Sequence, residues 1–142
     1  MGFSASLFRA FLAANVWVYR KTGGRVGSQG GKVVLLTATG RRSGMERTLP
    51  LMGITDGDRI LVAASAGGDD KHPGWYHNVT ANPEVTVQRG QDVFEMKART
   101  AGPDERPALW DRFVEKSRNF AKYETRTDRQ IPVVILEPRE KS

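Results

Sequence analysis

A small antiparallel β-barrel or sheet, mainly β with helices added at its margins (α+β), is the fold this chain predicts. Three observations carry it. From residue 32 onward, short apolar runs rich in Val, Ile, Leu and Thr recur. Clusters of Gly, Asn and Asp separate them by only a few residues, as hairpins require. Helical periodicity is confined to the N-terminus, a short stretch before Asn82-Pro83 and a segment after Pro103. At 142 residues the chain makes about one domain, large enough to bury a core without metal or disulfide staples.

Residues 3–20 predict a helix, because Phe3, Leu7, Phe11, Ala14 and Val18 recur at steps of three and four, with Phe8, Leu12 and Tyr19 widening the apolar face. The uncharged stretch Ala10 to Tyr19 is too short to cross a bilayer core of about 30 Å, which takes about twenty residues. No cationic residue precedes Arg9, which argues against a signal peptide. Two readings stay open: a helix packed on the domain, or an interfacial helix whose Arg20, Lys21 and Arg25 meet lipid headgroups. Met1-Gly2 with Ser6 fits the myristoylation pattern, which matters only in a eukaryotic cell. Gly23 to Gly31 reads as a flexible connection, so residues 1–31 form a helix and linker and residues 32–142 the body of the domain.

In the body, Lys32 to Thr39 reads as a buried strand and Arg47 to Thr55 as its hairpin partner. Asp56-Gly57-Asp58 is a turn, followed by a third strand over Arg59 to Ser65. A short helix ends at Asn82-Pro83; Val85 to Val87 and Val93 to Thr100 then pair across Arg89-Gly90-Gln91-Asp92. Pro103-Asp104-Glu105 opens a helix running to about Asn119, with acidic residues at the positive end of its dipole. Ile131 to Glu137 closes the sheet, making six strands and three helices.

The composition removes several classes of function. Cysteine is absent, which excludes disulfides, thiolate metal sites and a catalytic thiol, and fits a reducing cytosol. The two imidazoles, His72 and His77, lie at a spacing that makes no zinc motif, so no metal is expected. A net charge of +6 and a pI near 10.0 favour anionic partners. Nucleic acid is not expected among them, since no helix-turn-helix, aromatic strand motif or basic helix is evident. Neither a dinucleotide fingerprint nor a P-loop is present, and the elbow a serine hydrolase would need around Ser65 is missing.

Two segments carry chemistry. Arg41, Arg42 and Arg47 place three guanidinium groups around a tight turn with Gly40, Ser43 and Gly44. The guanidinium fork matches phosphate or carboxylate, although a solvated basic turn would account for the same residues. The second segment runs from Ala63-Ala64-Ser65-Ala66 through Gly67-Gly68 to Gly74-Trp75-Tyr76-His77-Asn78. Small residues at a strand end let a flat ligand approach the backbone, and Gly67-Gly68 permits unusual dihedrals. A plain turn, with Trp75 and Tyr76 on the core side of a short helix, is the alternative.

These motifs, with Pro50-Leu51, Ala81-Asn82-Pro83 and Thr127-Asp128-Arg129-Gln130-Ile131-Pro132-Val133-Val134, resemble in order and spacing the deazaflavin-dependent nitroreductase and quinone reductase family of actinobacteria, over about residues 30 to 138. The resemblance implies a flavin-reductase-like split β-barrel and coenzyme F420, a deazaflavin with a phosphate and a polyglutamate tail. By position it implies Arg41, Arg42, Ser43 and Arg47 at the phosphate and tail, and Ala63, Ala64, Ser65 and Ala66 against the ring. Gly74, Trp75, Tyr76, His77 and Asn78 then stand at its other edge. Ser65 is expected nearest the reacting centre and Tyr123 as a proton source, with Met52, Phe120 and Tyr123 lining the substrate pocket.

The implied reaction is hydride transfer from reduced deazaflavin to a small electron-poor acceptor: a quinone, an activated double bond or a nitro compound. Nitroreductase members carry Lys where this chain has Ala66, tyrosines at Ser117 and Phe120, and an aromatic at Met52, which implies a differently shaped, less hydroxyl-lined pocket. A flavin mononucleotide (FMN) oxidoreductase of the same fold and a noncatalytic F420 carrier are the alternatives. A cytoplasmic protein is expected, with its N-terminal helix offering peripheral contact to the inner face of the membrane, and the family leans towards monomers.

Overall fold

Seven strands form one antiparallel sheet: β1 (Val33–Thr39), β2 (Glu46–Met52), β3 (Ile54–Asp56), β4 (Arg59–Ala63), β5 (Glu84–Arg89), β6 (Asp92–Thr100) and β7 (Val133–Pro138), in the order β2-β1-β5-β6-β7-β4-β3. They belong to a computed structural model that describes residues 13–27, 31–65 and 68–139. The two edge strands follow one another in the chain, joined by Gly53 alone, and β2 also approaches β4. The sheet therefore curls on itself as a barrel does.

This corrects the expectation of one strand over Arg47 to Thr55. Gly53 divides it, donating its N–H to the Lys32 carbonyl at 2.8 Å. A Cβ at that position would lie 3.2 Å from Ile60 and 3.3 Å from Val34, so the backbone passes where a side chain would press on the core. The segment thereby pairs with β1 before the glycine and with β4 after it.

Alternation fills the interior. Val34, Leu36, Ala38, Ile60, Val62, Val85, Val87, Met96, Ala98, Val134 and Leu136 are buried together. Helix α2 (Gly74–Ala81) sends Trp75 and Val79 into the same cluster and closes one end. That end holds the last residues of β1, β4 and β6 and the first of β2, β5 and β7, because the register pairs Thr39 with Glu46, Glu84 with Lys97, Thr100 with Val134 and Ala63 with Val133.

The outer face of β4 and β7 is covered by α3 (Arg106–Lys116) and α4 (Arg118–Arg126), whose Leu109, Trp110, Phe113 and Phe120 pack with Leu61, Val133 and Ile135. The single helix expected from Pro103 to Asn119 is thus two. Glu105 is the N-cap of α3, Pro107 lies in its first turn, and no acidic residue does. Extended Ser117 ends α3 and opens α4, its Oγ accepting from the Asn119 N–H at 3.3 Å.

On the opposite face α1, helical over residues 13–21, packs Val16 and Tyr19 on Leu35; its expected first half lies outside the described residues. Tyr19 Oη donates to the Val33 carbonyl at 2.8 Å and accepts from the Gly90 N–H at 2.9 Å. The expected flexible linker is, over residues 22–27, a packed turn: Gly24 is buried against Gly90, and Gly27 lies on the Tyr19 ring. Among the described residues no helix is long and apolar enough to cross a membrane.

Candidate functional site

The arginine turn and the Ser65 strand end both lie at the end of the barrel that α2 closes. The turn is held by its own backbone, with Gly40 N donating to Met45 O at 2.8 Å and Gly44 N to Gly40 O at 2.9 Å. Ser43 Oγ accepts from Met45 N at 3.1 Å. A Cβ on Gly40 would lie 2.7 Å from that Oγ, so only glycine leaves the hydroxyl in place. Gly44, at φ 71°, takes the left-handed conformation that closes the turn.

Arg41 joins this turn to α2. Its backbone N–H donates to Asn78 Oδ1 at 3.1 Å, and its Nη1 donates to the same oxygen at 3.0 Å and to Gly74 O at 3.4 Å. Arg41, Arg42 and Arg47 are all exposed, forming a cationic rim beside the first turn of α2. The amides of Gly74 and Trp75 open that helix, and the N-terminal N–H groups of a helix have no acceptor within it. Asn82 Nδ2 fixes the other end of α2 to the Thr39 carbonyl at 3.4 Å.

The Trp75 side chain is buried in the barrel core, so what Trp75 presents to a ligand is backbone. Tyr76 is half-buried, its hydroxyl 2.9 Å from Thr100 Oγ1, and its ring centroid lies 4.9 Å from that of His72. His77 is exposed, 5.8 Å from His72 between ring centroids. Burial first, then the Arg129 charge and then His77, hold the His72 imidazole below its ordinary pKa, so it is neutral at neutral pH.

Ala63 is half-buried, Ala64 is fully buried and Ser65 is half-buried where β4 ends; Ala66 lies outside the described residues. Gly68 returns the chain, its N–H donating to Ser65 O at 2.9 Å. At φ 84°, a Cβ on Gly68 would stand 2.9 Å from Tyr123 O and 3.0 Å from Tyr123 Cα. The backbone contact brings Tyr123 and the Ser65 loop together. The Tyr123 ring is half-buried, edge-on to Phe120 at 5.7 Å.

The other two expected pocket residues, Phe120 and Met52, belong with Tyr123 to the cluster on the outer face of the sheet. Phe120 is 7% exposed and belongs to the aromatic cluster under α3 and α4, where its ring meets Phe113 at 5.2 Å. Met52 pairs with Val33 at the far end of β1, about 20 Å along the strand from the arginine turn. There it lines a cleft of about 350 Å³ with Lys32, Arg112 and Lys116. An apolar residue between two strands carries no sequence sign of which end it occupies.

Arg129 received no role from the sequence. Its guanidinium donates to Asp69 O at 2.7 Å, Ala64 O at 3.2 Å and Ser65 O at 2.8 Å, and lies 3.1 Å from His72 Nδ1. The available signal was its place in the motif Thr127 to Val134, which counted towards the resemblance without giving Arg129 a role.

Residues 11–138 match the profile of the F420H(2)-dependent quinone reductase family. An F420H(2)-dependent quinone reductase of Mycobacterium tuberculosis is 39% identical over 128 residues, 86% of each chain. Among solved structures, the F420-H2 dependent reductase FDR-A superposes with a TM-score of 0.70 at 46% identity, covering 75% of this chain and 94% of that one. The heme storage protein HutZ of Vibrio cholerae, 15% identical with a TM-score of 0.55 over 80% of this chain and 85% of its own, shares the fold alone.

Proposed function

This chain belongs to the F420H(2)-dependent quinone reductase family, and from that membership we propose that it is an oxidoreductase that passes hydride from reduced coenzyme F420 to a quinone. The observation that carries the reading is the Arg41 bridge, which makes the cationic turn and the opening of α2 one rim beside the end of β4.

The residues present fit the cofactor. Three exposed guanidinium groups suit a phosphate and a polycarboxylate tail, and the glycine cradle that keeps Ser43 Oγ in place adds a hydroxyl. When bound, the reduced deazaflavin supplies the hydride. Arg41, Arg42 and Arg47 would hold the anionic end, and the backbone at Ala63 to Ser65 and at Gly74 to Asn78 would hold the ring. Ser65 then donates its hydroxyl hydrogen bond to the acceptor oxygen on which charge develops, and Tyr123 offers a second hydroxyl from which the proton is restored. Buried Trp75 seals the barrel beneath the rim against water.

Fluorescence titration of the purified protein with F420 and with FMN tests the reading. Tighter binding of F420, with quinone turnover by its reduced form, is the expected result. Preference for FMN would turn the rim to a shorter anion, and F420 binding without turnover of any acceptor would make the protein a carrier. Ser65→Ala is expected to lower turnover by more than it lowers cofactor affinity; the opposite split would remove Ser65 from the reacting centre.

One observation favours peripheral membrane contact as well. Trp17 is 61% exposed on α1, with Lys21 Nζ 5.8 Å from its ring centroid and Arg20 and Arg25 close by in sequence. Co-sedimentation with anionic vesicles is expected to fall in Trp17→Ala. Equal sedimentation of the two proteins would end that reading.

A further inference from the structure

Arg129 spends its hydrogen bonds in an uncommon way. Among the described residues its acceptors are neutral: the carbonyls of Asp69, Ala64 and Ser65, and the imidazole of His72. None of the ion pairs among the described residues involves it. The Ala64 carbonyl belongs to a fully buried residue, and leaving such a group unmet is costly. The guanidinium therefore stands where one planar fork meets several convergent acceptors, which the single point charge of a lysine does not reproduce.

The geometry also determines the imidazole. A guanidinium only donates, so at 3.1 Å from Arg129 Nη1 the Nδ1 of His72 is the acceptor. The ring hydrogen then sits on Nε2. Besides Arg129, His72 meets the rings of Tyr76 and His77 from α2, at 4.9 Å and 5.8 Å between centroids.

We propose that Arg129 is the positioning residue of this site: its one guanidinium ties the carbonyls that bracket Ser65 and the Nδ1 of His72 into a fixed frame, so that Ser65 is held at the reacting centre and His72 presents Nε2–H as its sole donor. That Ser65 stands at a reacting centre rests on the deazaflavin reading. The frame itself, made of Arg129 with Ala64, Ser65, Asp69 and His72, does not.

Two measurements test it. On the protein without cofactor at neutral pH, nitrogen-15 NMR of the imidazoles is expected to show His72 with Nδ1 unprotonated and hydrogen-bonded. In Arg129→Lys and Arg129→Gln, that resonance is expected to move towards the averaged shifts of a free imidazole. A His72 in the parent that carries its hydrogen on Nδ1, or that both variants leave unchanged, overturns the frame whether or not F420 binds.

The second measurement is single-turnover oxidation of bound reduced F420 by a quinone. A displaced Ser65 is expected to slow the hydride step at least about tenfold in both variants, with F420 affinity within about threefold of the parent. A parental rate in Arg129→Lys would make charge alone sufficient and overturn the positioning role. So would a loss of rate matched by an equal loss of affinity. A parent that binds no F420 overturns the functional reading instead and leaves the imidazole measurement to decide the frame.

Discussion

Arg41→Ala is expected to weaken F420 binding by about 1.5 to 3 kcal/mol, roughly 10- to 150-fold in Kd, with little change in folding stability. The guanidinium is exposed, and among the described residues only its Nη1 is committed, to Asn78 Oδ1 and Gly74 O. Its remaining donors could form charge-assisted bonds to an anionic oxygen. The backbone N–H of residue 41 still reaches Asn78 in the variant, so the turn stays docked on α2 and the loss reports the charge. Salt provides the internal check. An exposed cation is screened, so parental affinity is expected to fall with ionic strength more steeply than that of the variant. Fluorescence titration at two salt concentrations measures both. Unchanged affinity in Arg41→Ala and in Arg47→Ala would reject the rim as the cofactor site.

Gly24→Ala is expected to destabilise the fold by about 3 kcal/mol or more, lowering Tm by about 10 °C. Gly24 has φ 84°, where an L-residue costs about 1 to 2 kcal/mol before any contact is counted. Its Cβ would then stand 2.4 Å from Gly90 Cα, so the turn after α1 would have to lift off the β5–β6 turn. Lifting it strains the Tyr19 hydroxyl, which serves Val33 on β1 and Gly90 on that turn. Gly57→Ala is the control, at φ 61° with nothing within 4 Å of its Cβ. Thermal melts that move equally for the two variants would mean that the Gly24–Gly90 contact yields at no cost.

Where local chemistry determines structure, the sequence was readable. The β1–β2 hairpin, the β5–β6 pair and the closing strand follow from alternation and turn residues, and the structure places β1, β5, β6, β7 and the start of β2 within a residue or two of expectation. Gly53 was missed because Arg47 to Thr55 is a continuous apolar-polar run, and a strand's period does not say which neighbour it pairs with. Helix α4 was missed because Arg118 to Arg126 is largely polar and shows its apolar side only at Phe120 and Tyr123; the cap at Ser117 was its one local sign. The arginine turn was legible as anion-binding chemistry only beside the other motifs, since a solvated basic turn accounts for the same three guanidinium groups. Arg129 was not, because a cation that binds main-chain carbonyls leaves no pattern in the partners it chooses.

The β3–β4 turn lies at the far end of the barrel from the rim, and Gly57 there has open space where a side chain would be. The chain also contains no cysteine, so Asp58→Cys would create the one thiol in the molecule. Coupling that thiol to a bead or an electrode would give every immobilised copy the same orientation, with the arginine turn and the Ser65 loop facing the solution.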